Sequence, residues 1–437
     1  MSGEALGIDF GTTNSVIAKS VGPGEASLVD FAAPGNSVAA VFRTALCFWQ
    51  DAAIRTRLAP SGLAHEAGPW AIAEFLDFPQ ECRFLQSFKS VAANPAFDTA
   101  SVFEKRLRFE DLGRIFIDHL LERAGAALQP LPERIVVGRP VRYVGARPDP
   151  ALARTRYDAM FALLGREVHY VHEPLGAAYG FAARLDHAAT LLVADFGGGT
   201  SDFSIVRVQE PGAAQRCIPL GSAGIGIAGD RFDYRIMDRL VLPLLGKGGT
   251  YRSFDKVLEI PDGHFTDFGD WSRLALMRNR RTLAELARLQ HSATDKAAIA
   301  RMIAVVENEL GYPLYDAVGQ LKRALSTQTH AAFHFDSDDL TIAAEVTRAE
   351  FESWITPDLA QIAETVDAAL ASAGLTADQI DHVFLTGGSS LIPAVRRLFE
   401  ARFGDSRIDS GNELTSIAHG LALIGQAPDI AQWTASD

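Results

Sequence analysis

Apolar positions along the 437-residue chain follow two periods, one typical of strands and one typical of helices. Short runs of β-forming residues bounded by glycine, proline or polar clusters predict strands. They include a hairpin over residues 5–19, in which the apolar pattern stops at a glycine turn and resumes at Val16. The other predicted strands are 27–32, 38–48, 134–137, 167–171, 191–194, 203–208, 216–220, 341–346 and 382–386.

Apolar residues that recur every three to four positions predict helices. The predicted helices are 70–75, 84–93, 103–127, 154–164, one opening at 173, 230–245, 271–290, 294–325 with a break at 311–313, 347–372 with a kink or break at Pro357, 392–403 and 416–426. Residues 246–272 lack a period and are predicted to form a long loop, and about the last ten residues a loose polar tail. The alternation of strands and helices is typical of a layered α/β fold.

Size, charge and cysteine usage narrow the class of protein. A chain of this length exceeds the size at which one core keeps growing, so two or more domains or lobes are expected. The net charge of −13 argues against nucleic acid or an anionic membrane as a partner, since both need a basic surface. The three cysteines have no paired spacing, which predicts reduced thiols. The sequence shows no signal peptide and no apolar stretch long enough to span a bilayer, so we expect a soluble cytoplasmic protein.

Two glycine-containing turns carry the candidate chemistry. Residues 8–15 read Ile-Asp-Phe-Gly-Thr-Thr-Asn-Ser, and residues 195–202 read Asp-Phe-Gly-Gly-Gly-Thr-Ser-Asp. Glycine lets a backbone approach a ligand closely with its N–H groups directed at phosphate oxygens, and threonine hydroxyls add donors. The aspartates can hold a hydrated cation that neutralises the phosphates. One such turn is a weak signal, but two predict similar half-domains that bind one nucleotide from both sides.

Other stretches resemble motifs without the required context. Residues 224–229 match G-x-G-x-x-G, but past the middle of the chain and not in the first strand–helix turn of a dinucleotide-binding unit. A second interpretation of these residues stays open, namely a glycine turn that leads into a helix whose N-terminus lies near phosphate or ribose. Residues 246–250, Gly-Lys-Gly-Gly-Thr, lack P-loop spacing. Arginines at 273–288 predict a solvated helix face, with a partner surface as the alternative, and Lys89 taken alone predicts a solvated side chain.

Two further segments complete a set of four. Residues 173–180 read Glu-Pro-Leu-Gly-Ala-Ala-Tyr-Gly, and residues 385–393 read Leu-Thr-Gly-Gly-Ser-Ser-Leu-Ile-Pro. In this order the four segments resemble the two phosphate loops, the connecting segment and the adenosine loop of the 70-kDa heat-shock (DnaK-type) chaperones, over nearly the whole chain. The resemblance implies the α/β class and an actin-like ATPase fold. Two lobes, each with a mixed sheet flanked by helices, would surround a nucleotide cleft for ATP or ADP, Mg²⁺ and K⁺.

The resemblance also implies a division of the chain. Lobe I would be residues 1–188 and lobe II residues 189–437, with an enlarged small subdomain at about 229–320. The enlargement is expected because more residues separate Asp233 from Lys322 than in the family's core domain. The family would continue after residue 425 with a linker and a peptide-binding domain, whereas this sequence stops at Asp437. No peptide-binding domain is therefore expected, and the organisation resembles the bacterial YegD-like subgroup.

Site residues are carried over by position. The resemblance implies cation binding, largely through water, by Asp9, Asp195 and Asp202, and catalysis by Lys89, Glu173, Thr200 and Asp202. Lys89 would orient the attacking water and stabilise charge on the γ-phosphate. Pro140 and Arg154 resemble residues that relay the nucleotide state to the surface. The implied nucleotide contacts are Gly11, Thr12, Thr13, Asn14, Gly197, Gly198, Gly199, Thr200, Gly229, Asp230, Lys322, Arg323, Ser326, Gly387, Gly388 and Ser389.

Two positions depart from the family pattern. Gly319 stands where the family usually has a glutamate that binds the ribose, and Leu391 where an arginine usually flanks the adenine. The implied function is a chaperone-like nucleotide switch that hydrolyses ATP slowly, with protein clients or co-chaperones as partners, and we expect a monomer. Two alternatives stay open: a small-molecule, sugar-type kinase on the same fold, and an actin-like scaffold whose assembly is gated by nucleotide.

Overall fold

The chain folds into two compact units. The computed structural model describes residues 4–51, 62–143, 145, 147–213, 216–269, 274, 277–337, 340–409, 411, 415–427 and 430–434. The first unit consists of Met1–Ala228 and Gln361–Asp437, and the second is Gly229–Ala360. The predicted lobe boundary between residues 188 and 189 stays a prediction.

Twenty-two strands are numbered along the described part of the chain. They are β1 (Ala5–Phe10), β2 (Asn14–Gly22), β3 (Glu25–Leu28), β4 (Phe31–Ala33), β5 (Ser37–Ala39), β6 (Phe42–Arg43), β7 (Ala45–Gln50), β8 (Leu63–Ala67), β9 (Arg83–Gln86), β10 (Ala100–Val102), β11 (Lys105–Leu107), β12 (Arg134–Arg139), β13 (Glu167–His172), β14 (Ala189–Phe196), β15 (Ser201–Val208), β16 (Cys217–Ile225), β17 (Thr250–Ser253), β18 (Lys256–Glu259), β19 (His330–Ser337), β20 (Leu340–Thr347), β21 (His382–Thr386) and β22 (Ile408–Asp409).

Eleven α-helices accompany them over the same described ranges. They are α1 (Gly68–Asp77), α2 (Phe109–Ala124), α3 (Pro150–Phe161), α4 (Glu173–Ala182), α5 (Gly229–Ile236), α6 (Arg280–Ser292), α7 (Lys296–Glu307), α8 (Gly311–Thr327), α9 (Arg348–Ala373), α10 (Pro393–Phe403) and α11 (Ser416–Ile424). No helix of the described chain is both long and apolar enough to cross a membrane.

Two sheets in the first unit share one strand order and one set of directions. In the first sheet β1 pairs antiparallel with β2 and β2 with β3, while β12 and β13 extend the sheet in parallel from the other edge of β1. In the second sheet β14 takes the place of β1, β15 and β16 follow antiparallel, and β21 and β22 extend it in parallel. The two glycine turns therefore occupy equivalent positions, after β1 and after β14.

The central strands are buried because helices cover them. Strands β1, β12 and β14 are nearly continuous apolar runs, which is typical of strands buried on both faces. Helices α4 and α11 pack against each other, and α11 also contacts β1. An aromatic cluster fills the other side, where the ring centroid of Phe10 lies 5.8 Å from that of Phe88 and 6.1 Å from that of Tyr157. This cluster fixes the end of β1 beside the segment that carries Lys89.

Several local predictions are confirmed. The predicted hairpin is β1 with β2, and the helix predicted to open at residue 173 is α4. At the start of α9, Glu350 Oε2 accepts a hydrogen bond from the Thr347 amide at 2.8 Å and Thr347 Oγ1 accepts one from the Glu350 amide at 3.1 Å, as a capping box requires. Cys47, Cys82 and Cys217 form no disulfide with one another.

Other local predictions are wrong. Residues 84–93 are not a helix: β9 runs into a single 3-10 turn, Phe88–Val91, since β9 pairs with β7 in a three-stranded sheet. Residues 246–269 do not form the predicted long loop, because the hairpin β17–β18 and a 3-10 helix at Asp262–Gly269 lie there; residues 270–272 of that prediction lie outside the described residues. Helix α9 continues through Pro357, so no break occurs there, while a kink stays a prediction. The described part of the tail is not loose, because Ile430 and Trp433 are buried. The predicted helix 103–127 begins only at Phe109, since β10 and β11 form a hairpin before it.

The second unit combines helices with two hairpins. Helix α5 continues into a π-helical turn and a 3-10 turn up to Leu245, so the helical prediction over 230–245 holds in outline. The predicted break at 311–313 is misplaced, because the two helices are separated at residues 308–310 and α8 begins at Gly311. Residues 271–273, 275 and 276, at the start of the predicted helix 271–290, lie outside the described residues, and α6 covers its later part.

Candidate functional site

A buried ion pair lies at the centre of the predicted site. Lys89 Nζ donates to Glu173 Oε1 at 2.5 Å, and the two side chains are only 6% and 8% exposed. Lys89 lies in the 3-10 turn after β9, and Glu173 is the first residue of α4, directly after β13. Burial alone would lower the pKa of Lys89, but the charges of Glu173 and Asp9 outweigh it and the net shift is upward. The lysine therefore stays charged inside the protein.

Three aspartates face this pair. Asp9 is on β1, Asp195 is on β14, and Asp202 is paired directly with Asp195 across β14 and β15. Burial raises the pKa of Asp9 and of Asp202 to about 7, and repulsion from Glu173 adds to each shift. The pKa of Asp195 is raised for the same two reasons, and Lys89 opposes the shift at all three carboxyls. Negative charge thus exceeds positive charge, so a cation would stabilise this cluster.

The first glycine turn is held by Thr44, which lies between β6 and β7. Thr44 Oγ1 donates to Gly11 O at 2.8 Å, and the Thr44 amide donates to Thr13 O at 2.9 Å. A Cβ on Gly11 would lie 2.2 Å from Asn14 O, so the turn is too tight for any side chain at that position. Thr13 Oγ1 is buried without a hydrogen-bond partner among the described residues. An unpaired buried hydroxyl is costly, and a ligand oxygen would satisfy it.

The second glycine turn joins its hairpin to the other sheet. The Gly197 amide donates to Thr200 O at 2.9 Å, which closes the turn. Asp202 Oδ1 accepts from the amides of Val141 at 3.0 Å and Arg142 at 3.2 Å, in the turn that follows β12. Asp202 therefore binds the segment next to Pro140 as well as facing the cation cluster.

The predicted adenosine loop approaches the second sheet closely. Gly387 has φ 81°, and a Cβ there would lie 2.1 Å from Phe196 O at the end of β14. Ser390 Oγ donates to Gly387 O at 2.7 Å, and Ser389 is buried in the 3-10 turn Gly388–Leu391. Leu391, one of the two departures from the family pattern, is 55% exposed.

The remaining predicted contacts lie in the second unit. Lys322 Nζ donates to Gly229 O at 3.1 Å and to Asp233 Oδ2 at 2.8 Å, and Ser326 Oγ donates to Lys322 O at 3.0 Å. At the other departure, a Cβ on Gly319 would lie 3.4 Å from Arg323 Nη1. Within this unit Lys322 connects α8 to the glycine turn that opens α5, where Asp230 is the second residue. Their contact with adenosine stays a prediction.

Two residues that the sequence reasoning missed hold the site together. Thr44 binds the first turn as described, and Arg156 binds the loop after Lys89 through backbone carbonyls. Arg154, whose role as a relay residue stays a prediction, stacks 4.5 Å from the ring centroid of Tyr170 and pairs with Asp158 at 3.1 Å. No local sequence motif marks Thr44 or Arg156, because both act on the main chain of segments distant in sequence.

These residues fit a hydrated cation with phosphate. In the described ranges, no group of three or more His, Cys, Asp and Glu side chains is arranged to ligate a metal ion directly. A cation here would therefore be held by Asp9, Asp195 and Asp202 largely through water, which suits Mg²⁺ because it keeps several of its waters. The unpaired Thr13 hydroxyl and the two glycine turns supply donors for phosphate oxygens. The duplicated sheets and the site between them define an α/β protein of the actin-like ATPase fold.

Comparisons with known proteins agree with that class. The family model described as Hsp70 protein matches residues 295–429. The chaperone protein DnaK of Thermus thermophilus is 26% identical over 440 residues, covering 98% of this chain and 62% of the relative. DnaK of Deinococcus radiodurans is 26% identical over 424 residues, covering 96% and 59%. A heat shock protein homolog of Saccharomyces cerevisiae is 32% identical over 143 residues, covering 32% and 20%.

The chain is similar to the Hsp70 family model over residues 295–429 and to the DnaK chaperone proteins over nearly its whole length. It spans about three fifths of the length of the DnaK relatives that it matches. Placement in the YegD-like subgroup stays a prediction.

Proposed function

We propose that this chain binds ATP with Mg²⁺ and hydrolyses it slowly to ADP and phosphate, as a chaperone-like nucleotide switch of the Hsp70 type. The observation that carries the proposal is the buried Lys89–Glu173 pair, whose atoms are 2.5 Å apart beside the carboxylates that end β1 and β14. A buried lysine held in one place, next to two glycine turns, supplies the positive charge that phosphoryl transfer to water needs.

Each side chain has a role that its position supports. Lys89 Nζ, fixed by Glu173, orients the attacking water and stabilises the negative charge that develops on the γ-phosphate. Thr13 and Thr200 donate hydrogen bonds to phosphate oxygens, with the amides of the two glycine turns. Mg²⁺, when bound through water to Asp9 and Asp195, supplies charge neutralisation at the phosphates. Such catalysis consists mainly of positioning and electrostatic stabilisation.

The cellular role that we propose is transferred from the similar DnaK proteins. DnaK of Thermus thermophilus and of Deinococcus radiodurans is named a chaperone protein, and these matches span nearly all of this chain. We extend to this chain protein clients or co-chaperones as partners, K⁺ as a further cation, a cytoplasmic location and a monomeric state. Asp202 supports a conformational readout, because one carboxyl both faces the cation cluster and binds the turn after Pro140.

One observation favours a second candidate, a small-molecule kinase. The pKa of Asp202 is raised to about 7 by burial and by Glu173, and a carboxyl with that pKa can act as a general base toward a hydroxyl acceptor. The acceptor hydroxyl of a sugar or polyol would then give its proton to Asp202 and take the γ-phosphoryl group in place of water, with ADP as the leaving group.

Acceptor dependence separates the two candidates. ATP turnover is measured for the wild type, for Lys89→Ala and for Lys19→Ala, each with and without a panel of sugars and polyols. Lys19 is a matched control, because it pairs with Glu4 at 3.4 Å on the same sheet, away from the site. Slow turnover that ignores every acceptor, is lost in Lys89→Ala and is retained in Lys19→Ala supports the ATPase. A large acceptor-dependent rate would favour the kinase.

A further inference from the structure

One arginine holds the loop that follows Lys89. Arg156, on α3, donates from both terminal nitrogens to main-chain carbonyls of this loop. The acceptors are Val91 O at 2.9 Å, Ala92 O at 2.9 Å, Asn94 O at 3.2 Å and Phe97 O at 2.5 Å. The planar, five-donor guanidinium suits several acceptors at once, and each carbonyl it binds would otherwise need another donor.

The loop and the turn that carries Lys89 form one short unit. The Ala92 amide donates to Lys89 O at 3.0 Å, so the carbonyls held by Arg156 begin within one turn of the lysine. The Asp149 amide, at the start of α3, also donates to Ala93 O at 2.8 Å. The exit of the Lys89 turn is therefore attached to α3 at five carbonyls in all.

The entrance to the same turn is fixed differently. Ser87, just before it, has φ 55°, a left-handed conformation that is costly for a residue with a side chain. The Ser87 amide donates to Thr44 O at 3.3 Å, and Thr44 also holds the first glycine turn. A strained entrance stays in place only if the surrounding structure enforces it, and Arg156 supplies that enforcement from the exit side.

Helix α3 is itself rigid enough to act as an anchor. Asp149 caps it by accepting from the Leu152 amide at 3.0 Å. The residue after Arg156 is Tyr157, which is 1% exposed and packs edge-on against Phe10 at 6.1 Å. Phe10 directly follows Asp9 at the end of β1. Helix α3 therefore contacts both the loop after Lys89 and the strand end that carries one of the cation-site aspartates.

We propose that Arg156 is a positioning residue for Lys89, fixing through the carbonyls of residues 91–97 the place from which the lysine acts. This role rests on the proposed ATP hydrolysis. Arg156 touches neither Lys89 nor a residue predicted to bind nucleotide, so its removal should impair hydrolysis and leave nucleotide binding intact. A shift of about 1 Å in a catalytic group can cost roughly a hundredfold in rate.

The test compares Arg156→Gln with a matched arginine. Arg407 Nη1 likewise donates to three loop carbonyls, those of Ala377 at 3.2 Å, Asp378 at 3.2 Å and Ile380 at 2.8 Å, away from the site. For the wild type, Arg156→Gln and Arg407→Gln, the single-turnover rate of ATP hydrolysis and the Kd for ATP with Mg²⁺ are measured. Hydrogen exchange of the peptide over residues 88–97 gives a readout that needs no activity.

The expected result is a rate lowered about 10- to 100-fold in Arg156→Gln, with a Kd within about twofold of the wild type and faster exchange over 88–97. Arg407→Gln should keep the wild-type rate, Kd and exchange at 88–97. Arg156→Lys should recover only part of the rate, because a compact ammonium cannot span four carbonyls. If Arg156→Gln does not fold, Arg156→Lys is judged by the same split between rate and Kd.

Three outcomes would overturn the role. They are an unchanged rate in Arg156→Gln, unchanged exchange over 88–97, and an equal loss of rate and binding. A wild type that binds ATP without hydrolysing it would refute the proposed function itself, and this outcome is distinguished from the others because it appears before any Arg156 variant is compared.

Discussion

Removing the charge of Lys89 should destabilise the nucleotide-free protein far more than neutralising its partner. Loss of one member of a buried ion pair leaves an uncompensated charge and costs about 3–5 kcal/mol. With both side chains under a tenth exposed, Lys89→Met falls in that range. The cost is raised further because Lys89 lowers the pKa of Asp9, Asp195 and Asp202, so its loss leaves four carboxyls to repel one another.

Glu173→Gln has a smaller expected cost. Lys89 keeps Asp9 as a charge partner, and repulsion from Glu173 no longer acts on the three aspartates. The remaining loss is that of one charge-assisted hydrogen bond, about 1–3 kcal/mol. The order of stability should therefore be wild type, Glu173→Gln and then Lys89→Met.

Urea unfolding at pH 8 in EDTA, without nucleotide, measures this order by tryptophan fluorescence. The double variant Lys89→Met with Glu173→Gln completes a cycle, and its cost should be less than the sum of the two single costs because the buried charges leave together. The reasoning fails if Lys89→Met lies within about 1 kcal/mol of the wild type, or if Glu173→Gln costs more than Lys89→Met.

Three further changes have defined outcomes. Gly387→Ala should abolish folding or nucleotide binding, because a Cβ there has no room. The control Gly404→Ala, at φ 88° with open space around it, should cost only about 1 kcal/mol by thermal unfolding. Similar costs for the two variants would contradict the close approach at Gly387. Asp358→Asn should cost about 3–5 kcal/mol in urea, because this fully buried carboxylate holds Arg235 at 2.7 Å, and a cost below about 1 kcal/mol would contradict it. The pKa of His172 is lowered from 6.5 to about 4, mainly by burial and to a smaller extent by a nearby arginine. The free energy of unfolding should therefore be constant above pH 6.5 and fall as the pH drops from 6.5 toward 4. His172→Gln should remove about 2 kcal/mol of the loss between pH 7.5 and 5, and an unchanged loss would refute the assignment.

Local sequence patterns predicted the parts of the site that depend on local chemistry. The two glycine turns need their glycines within a few residues of an aspartate, so the motifs at 8–15 and 195–202 gave both turns and their equivalence. Glu173 was predictable because a glutamate followed by proline opens a helix, and α4 begins there.

Residues that act across the fold could not be predicted in this way. The local sequence around Lys89 predicts a solvated side chain, and only the folded arrangement of β9 and α4 places it next to Glu173. Thr44 and Arg156 bind main-chain carbonyls, which every residue has, so no partner identity marks them in the sequence. The strands β17 and β18 were missed because exposed short strands lack an apolar period, and Val257 and Leu258 lie on the surface.

The most direct measurement is single-turnover hydrolysis of ATP with Mg²⁺ by the wild type and by Lys89→Ala, with the Kd for ATP determined calorimetrically for both. The account predicts that both bind ATP with Kd values within a few fold of each other, and that the hydrolysis rate falls at least about a hundredfold in the variant. Equal hydrolysis by the two proteins, or no binding of ATP by the wild type, would contradict it.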